Sequence, residues 1–184
     1  MIWESFYWKS DLIKDADILK RWAIKKTSTK QEVLFEKKIM ISAYSIRKLI
    51  EAEKIGPDLK DEYWYIKCKT FNRISNGKQL DIMNAHRFYE FYNTEDLPSA
   101  NSKKITLKDL CDLILNRDDK DCVNGFFVTS GKHKDATLYW VDLDVFIKVL
   151  NGIGKSDVCG LKMVRHNKKT SGWTITRKYI YEQK

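Results

Sequence analysis

Proline is nearly absent from this 184-residue chain, which holds only 2, and glycine is sparse at 8. Those counts exclude collagen-like repeats and the Pro/Gly-rich composition of low-complexity disorder. No uninterrupted apolar run exceeds four residues, the longest being Tyr63 to Ile66 and Leu138 to Val141. A membrane-spanning helix needs about 20. The opening Met1-Ile2-Trp3-Glu4 has no basic segment followed by an apolar one, which a secretory signal requires. The expectation is a soluble, cytoplasmic protein with no membrane partner.

Close-paired cysteines are missing too. Cys68, Cys111, Cys122 and Cys159 include no C-x-x-C pair, and His86, His133 and His166 stand far from them in sequence. Zinc sites show close pairs because two ligands on one knuckle fix half of the tetrahedron. Cys68 and Cys111 fall among apolar residues and are expected to fill core positions as reduced thiols. No cofactor and no structural metal are expected.

Catalytic signatures are equally scarce. G-x-S-x-G, H-E-x-x-H and G-x-G-x-x-G do not occur. A phosphate loop would need four residues between its glycines. Gly125 and Gly131 are separated by five, and His133 stands where the loop wants a hydroxyl. Asn116 to Asp121 lacks the central glycine of a calcium loop and puts Lys120 at a ligand position. Metal nucleases often carry a carboxylate two residues before a lysine on a strand. Here Glu36 and Lys38 fall on a helical stretch, while the strand with Lys67 and Lys69 has Tyr65 and Lys67 upstream. No carboxylate pair presents itself as a general acid and base, so no catalytic residue is nominated.

What the chain does have is a patterned 43% of hydrophobic residues among 32% charged ones. At this length a single domain buries roughly 70% of its unfolded surface. Trp8, Leu12, Ala16, Leu19 and Ala23 recur at helical spacing, as do Phe35, Ile39, Ala43, Ile46 and Ile50. The connection between them is short, so the two helices should lie antiparallel. Thr29 with Glu32 reads as the capping box of the second helix, and Ile55-Gly56-Pro57 as its exit. From residue 61 the period changes to two. Trp64, Ile66, Cys68 and Thr70 share one face of a strand, with Tyr63, Tyr65, Lys67, Lys69 and Phe71 on the other.

Asn76-Gly77 marks a turn into a short strand near Leu80 to Met83, and Ala85 to Tyr92 reads as a short helix. Asn93 to Lys104 reads as a loop. Thr106 and Asp109 form a capping pair for a helix buried through Leu107, Leu110, Cys111 and Ile114. Gly125 to Thr129 and Thr137 to Val141 read as hairpin strands, and Asp142 caps a helix from Leu143 to Asn151 that exits at Gly152. Leu161 to His166 and Trp173 to Tyr181 complete the strands.

The fold class is therefore α+β: an N-terminal antiparallel helical hairpin packed with a mainly antiparallel sheet carrying short helices. The division is a hairpin over 1–56 and an α+β region over 61–184, continuous with it in one domain.

The net charge is +9, and its distribution is uneven. Residues 155–184 carry a net +6, against +3 for the 154 residues before them. Lys162, Arg165, His166, Lys168, Lys169, Arg177 and Lys178 lie on these last strands and their turn, interleaved with Trp173, Tyr179 and Tyr181. Cations neutralise phosphates and release counterions, and exposed rings stack on unpaired bases. The leading expectation is a non-enzymatic binding protein that engages nucleic acid or another polyanion through this basic C-terminal hairpin. The plain alternative is a solvated edge whose charges prevent aggregation. A rival is an interaction module that forms a homodimer or a heteromeric complex through its helical hairpin and the aromatic opening Trp3, Phe6, Tyr7 and Trp8. A further rival is a metal-independent RNase-like enzyme using His166 beside Arg165, Lys168 and Lys169.

Overall fold

A computed structural model describes residues 4–23, 28–56, 59, 65–71, 73–74, 89–94, 100–115, 121–122, 124–129, 137–156, 161–162 and 178–179. The first two helices are α1 (Ser5–Trp22) and α2 (Thr29–Glu51). They run antiparallel: the Trp8 and Tyr44 rings are 6.3 Å apart, and Lys38 Nζ donates to Asp15 Oδ1 at 2.8 Å. The buried stripes are the expected ones, with Leu12, Ala16 and Leu19 facing inward on α1 and Phe35, Ile39, Ala43 and Ile46 on α2. Ser42, wholly buried, donates to Asp15 Oδ2 at 2.9 Å. A buried carboxylate needs such partners, because an unpaired one is costly.

Both ends of α2 differ from the sequence reading. Ser28, one residue before Thr29, is the N-cap, and Gln31 Oε1 accepts from its backbone N–H at 3.1 Å. The exit comes before Gly56: Glu53 takes a left-handed φ of 54° while its N–H bonds Ile50 O and that of Lys54 bonds Leu49 O. A short polar residue or glycine usually fills such a cap, so composition pointed to the wrong position.

The sheet has five strands, β1 (Tyr65–Phe71), β2 (Asn101–Thr106), β3 (Asp121–Cys122), β4 (Gly125–Thr129) and β5 (Leu138–Asp142), in the order β2-β1-β5-β4-β3. Every neighbouring pair is antiparallel. The stretch expected as a loop proves to be paired at its C-terminal end: Asn101–Lys104 lies in β2. It carries no apolar alternation, since the first four residues of β2 are exposed. The expected turn at Asn76-Gly77, the strand near Leu80 to Met83 and the first half of the helix at Ala85 to Tyr92 lie outside the described residues. The second half is not helical to its end: Tyr89 and Glu90 form a short 3₁₀ turn, and Tyr92 makes an antiparallel bridge with Arg73.

Helix α3 (Leu107–Leu115) starts as expected: Thr106 Oγ1 accepts from the Asp109 N–H at 3.0 Å and donates to Asp109 Oδ2 at 2.6 Å. Helix α4 (Leu143–Lys155) is capped by Asp142, whose Oδ1 accepts from the Val145 N–H at 3.1 Å. It runs past Gly152 rather than ending there, and this buries Ile153. The two helices lie on one face of the sheet, and the N-terminal pair packs over them, α1 against α4 and α2 against α3. A Cβ on Gly154 would stand 2.5 Å from Ile13 Cγ1 and 2.9 Å from the Lys9 carbonyl oxygen, so α1 and α4 approach closely there. Lys9, buried in the same seam, donates from Nζ to Ser156 O at 2.8 Å. A cation at a helix C-terminus is favourably placed against the dipole.

One core joins α1, α2, α3 and α4 to Ile66, Cys68, Ile105, Phe126, Val128 and Val141 of the sheet. A second, smaller cluster on the opposite sheet face gathers Phe71, Phe91, Tyr92, Phe127, Leu138 and Trp140. The thiols of Cys68 and Cys111 sit in the first core, and burial pushes both up to about 12.

A raised thiol pKa gives the stability a definite pH dependence. In the unfolded chain these groups ionise near 8.5, and in the folded one they stay neutral. Their contribution is complete below that pH and is lost as pH rises towards 12, at about 1.4 kcal/mol per unit per thiol. Urea unfolding of wild type and of the Cys68→Ala/Cys111→Ala variant checks this. Between pH 9 and 10 the wild type should lose about 2 kcal/mol more than the variant. Equal losses would show that the thiols already ionise in the native state.

Beyond α4 the chain forms a separate two-stranded pair, β6 (Leu161–Lys162) with β7 (Lys178–Tyr179). No helix among the described residues is long and apolar enough to cross a membrane.

Candidate nucleic-acid interface

Of the basic C-terminal positions, Lys162 and Lys178 are described, directly opposite one another in the antiparallel β6–β7 register. Arg165, His166, Lys168, Lys169 and Arg177 lie outside the described residues. Like charges directly opposite on neighbouring strands repel.

A lysine opposite a lysine occurs in the main sheet as well. Register places Lys67 of β1 opposite Lys104 of β2, with Tyr65 opposite Thr106 and Lys69 opposite Ser102. Because successive side chains alternate, these residues share the face turned away from α3 and α4. Their neighbours Ile66 and Cys68 point into the helical core. Lys67, Lys104 and Tyr65 are exposed, Tyr65 to 60%. Neither strand contains a carboxylate, and among the described residues Lys67 and Lys104 have no ion-pair partner.

Towards β5 this face is covered by the second hydrophobic cluster, in which Trp140 is buried. Lys69 Nζ lies 5.7 Å from the centre of the Trp140 ring, within cation–π range. The Trp140 indole lies across Gly125, where a Cβ would meet its Cε2 and Cζ2 at 2.5 Å. Gly125 is thus the residue that lets the ring lie flat on β4. The buried Trp140 Nε1 has no hydrogen-bond partner among the described residues. On the other side of the sheet, Lys103 Nζ stands 5.6 Å from the Tyr139 ring centre and 3.3 Å from its hydroxyl.

The sequence reading places Lys67 and Lys69 with Tyr65 on one face of their strand without saying which face is outer. It missed Lys103 and Lys104 because it took their segment for a loop. The available signal was the absence of acid from both stretches, which alone does not reveal that they pair.

Elsewhere the arrangement offers little chemistry. Among the described residues no three His, Cys, Asp or Glu stand close enough to hold a metal ion. The Asp15–Lys38–Ser42 group resembles a proton-transfer set, but Ser42 is wholly buried and the group ties α1 to α2. A shallow depression on α4, lined by Lys148, Asn151, Gly152 and Lys155, occupies the C-terminal half of the helix, where the dipole disfavours anions. Comparison with protein-family models, curated proteins and solved structures finds no match to this chain.

Proposed function

We propose that the chain is a non-enzymatic nucleic-acid-binding protein that meets the phosphate backbone through its basic C-terminal hairpin. The observation that carries this reading is the concentration of charge: a net +6 in residues 155–184, with Lys162 set opposite Lys178. Only Asp157 and Glu182 are acidic in that stretch, so its excess of positive charge has few counter-charges in the sequence. A polyanion supplies them and releases its own counterions in return.

The test is fluorescence anisotropy on labelled single-stranded and duplex oligonucleotides over a range of salt. With about five phosphate contacts, log K should fall with log salt at a slope near −3.5 to −4.5. Lys168→Glu/Lys169→Glu should weaken binding to all sequences alike and flatten the slope, because phosphate contacts carry no base information. The same exchange at Lys25 and Lys26 should matter much less. No measurable wild-type binding at about 50 mM salt would defeat the proposal.

A second reading has its own support. Phe6, Tyr7, Ile41 and Tyr44 are 45–69% exposed on the outermost pair of helices. Large apolar side chains outside a core are the usual material of protein interfaces. On that reading the protein sediments as a homodimer, or copurifies with a stoichiometric partner after nuclease treatment.

A further inference from the structure

We infer that the sheet face bearing Tyr65, Lys67, Lys69 and Lys104 is a second contact surface, and that its ligand is a single-stranded nucleic acid. This rests on the nucleic-acid reading above but uses residues far in sequence from the C-terminal hairpin. Two features support it.

The first is the placement of charge. An edge strand gains protection from lysines of its own, and β2 has Lys103 and Lys104 for that. Edge protection does not call for Lys67 on β1, which lies between β2 and β5. Putting Lys67 opposite Lys104 works against sheet stability. A bound phosphate relieves the repulsion.

The second is the exposed ring. Tyr65 is two residues from Lys67 on the same face, a separation of about 6.6 Å along a strand. It is 60% exposed beside a cation, so a base can stack on it while its phosphate meets Lys67 or Lys104.

The shape selects the form of the ligand. A duplex hides the faces of its bases, and its major groove admits a helix or a two-stranded ribbon rather than the face of a five-stranded sheet. Unpaired bases offer their π-faces to Tyr65.

The test uses the full chain, with a labelled oligothymidylate and a duplex of equal length. Tyr65→Ala should weaken single-strand binding at least about fivefold, with little change for duplex, while Tyr65→Phe keeps the affinity. Lys67→Glu should weaken single-strand binding and reduce the salt slope by about 0.7. The same substitution replaces a repulsive pair by an attractive one, so its melting temperature should rise by about 1–3 °C. A gain in stability with a loss of binding separates a ligand contact from a structural role. Lys67→Glu/Lys104→Glu restores like charges, so it should melt near wild type and bind worst. If Lys168→Glu/Lys169→Glu weakens binding while Tyr65→Ala and Lys67→Glu bind normally, this surface is refuted and the hairpin stands. Equal losses for single strand and duplex would refute the stacking. A wild type that binds neither probe overturns both proposals.

Discussion

Replacing Ile46 by Asp is expected to leave the protein without a cooperative thermal transition, or insoluble. Ile46 is fully buried on α2, in the core that α1, α2, α3 and α4 share with the sheet. An unpaired charge there costs several kcal/mol, set against a total stability of about 5–15 kcal/mol for a domain. Ile41, on the same helix, is 56% exposed. Ile41→Asp should stay within about 0.5 kcal/mol of wild type, as surface substitutions usually do. Circular dichroism melts of the two variants make the comparison. An Ile46→Asp protein that melts within a degree or two of wild type would show that α2 presents a different face to the core.

The second large effect comes from two glycines a single residue apart, whose alanine variants should move in opposite directions. Both lie in α4, where alanine is favoured over glycine by about 1 kcal/mol. Gly152 borders the open depression, so Gly152→Ala should realise most of that gain. Gly154 faces α1, and its new methyl would collide with Ile13 and with the Lys9 carbonyl. Overpacking of this kind costs about 1–3 kcal/mol, and the backbone oxygen yields less readily than a side chain. The propensity gain is common to both sites, so the two variants should differ by the overpacking cost, about 1–3 kcal/mol, in denaturant unfolding. If both are stabilised, α1 and α4 are less closely packed than described.

These two helices show how far the sequence could be read. The stripes of α1 and α2 were legible because a fixed three-to-four spacing survives whatever the helix packs against. The caps at Thr106 with Asp109 and at Asp142 were legible because they are local hydrogen bonds between near neighbours. The end of α4 was not. Gly152 looks like an exit, but burial of Ile153 and the fit of Gly154 against α1 carry the helix onward. Strand β2 was hidden for a related reason: four solvated residues give no alternation, and its partner lies more than thirty positions away. Half of the Lys67–Lys104 pair could thus be seen beforehand. The pairing itself belongs to the sheet.

The contact between Lys9 and Ser156 also bears on how the chain is made. The two residues are 147 positions apart, and α4 is the helix against which α1 packs. At a synthesis rate of about 5–20 residues per second, roughly 7–30 s pass between the appearance of Lys9 and that of its acceptor. Throughout that interval the stripe of Leu12, Ala16 and Leu19 has no α4 to cover it. α1 can pair with α2 as soon as α2 is made, through Asp15, Lys38 and Ser42, so it is the seam with α4 that closes last. Mutations in the α1–α4 seam should then act mainly on the rate of unfolding, since contacts formed after the transition state leave the folding rate nearly unchanged.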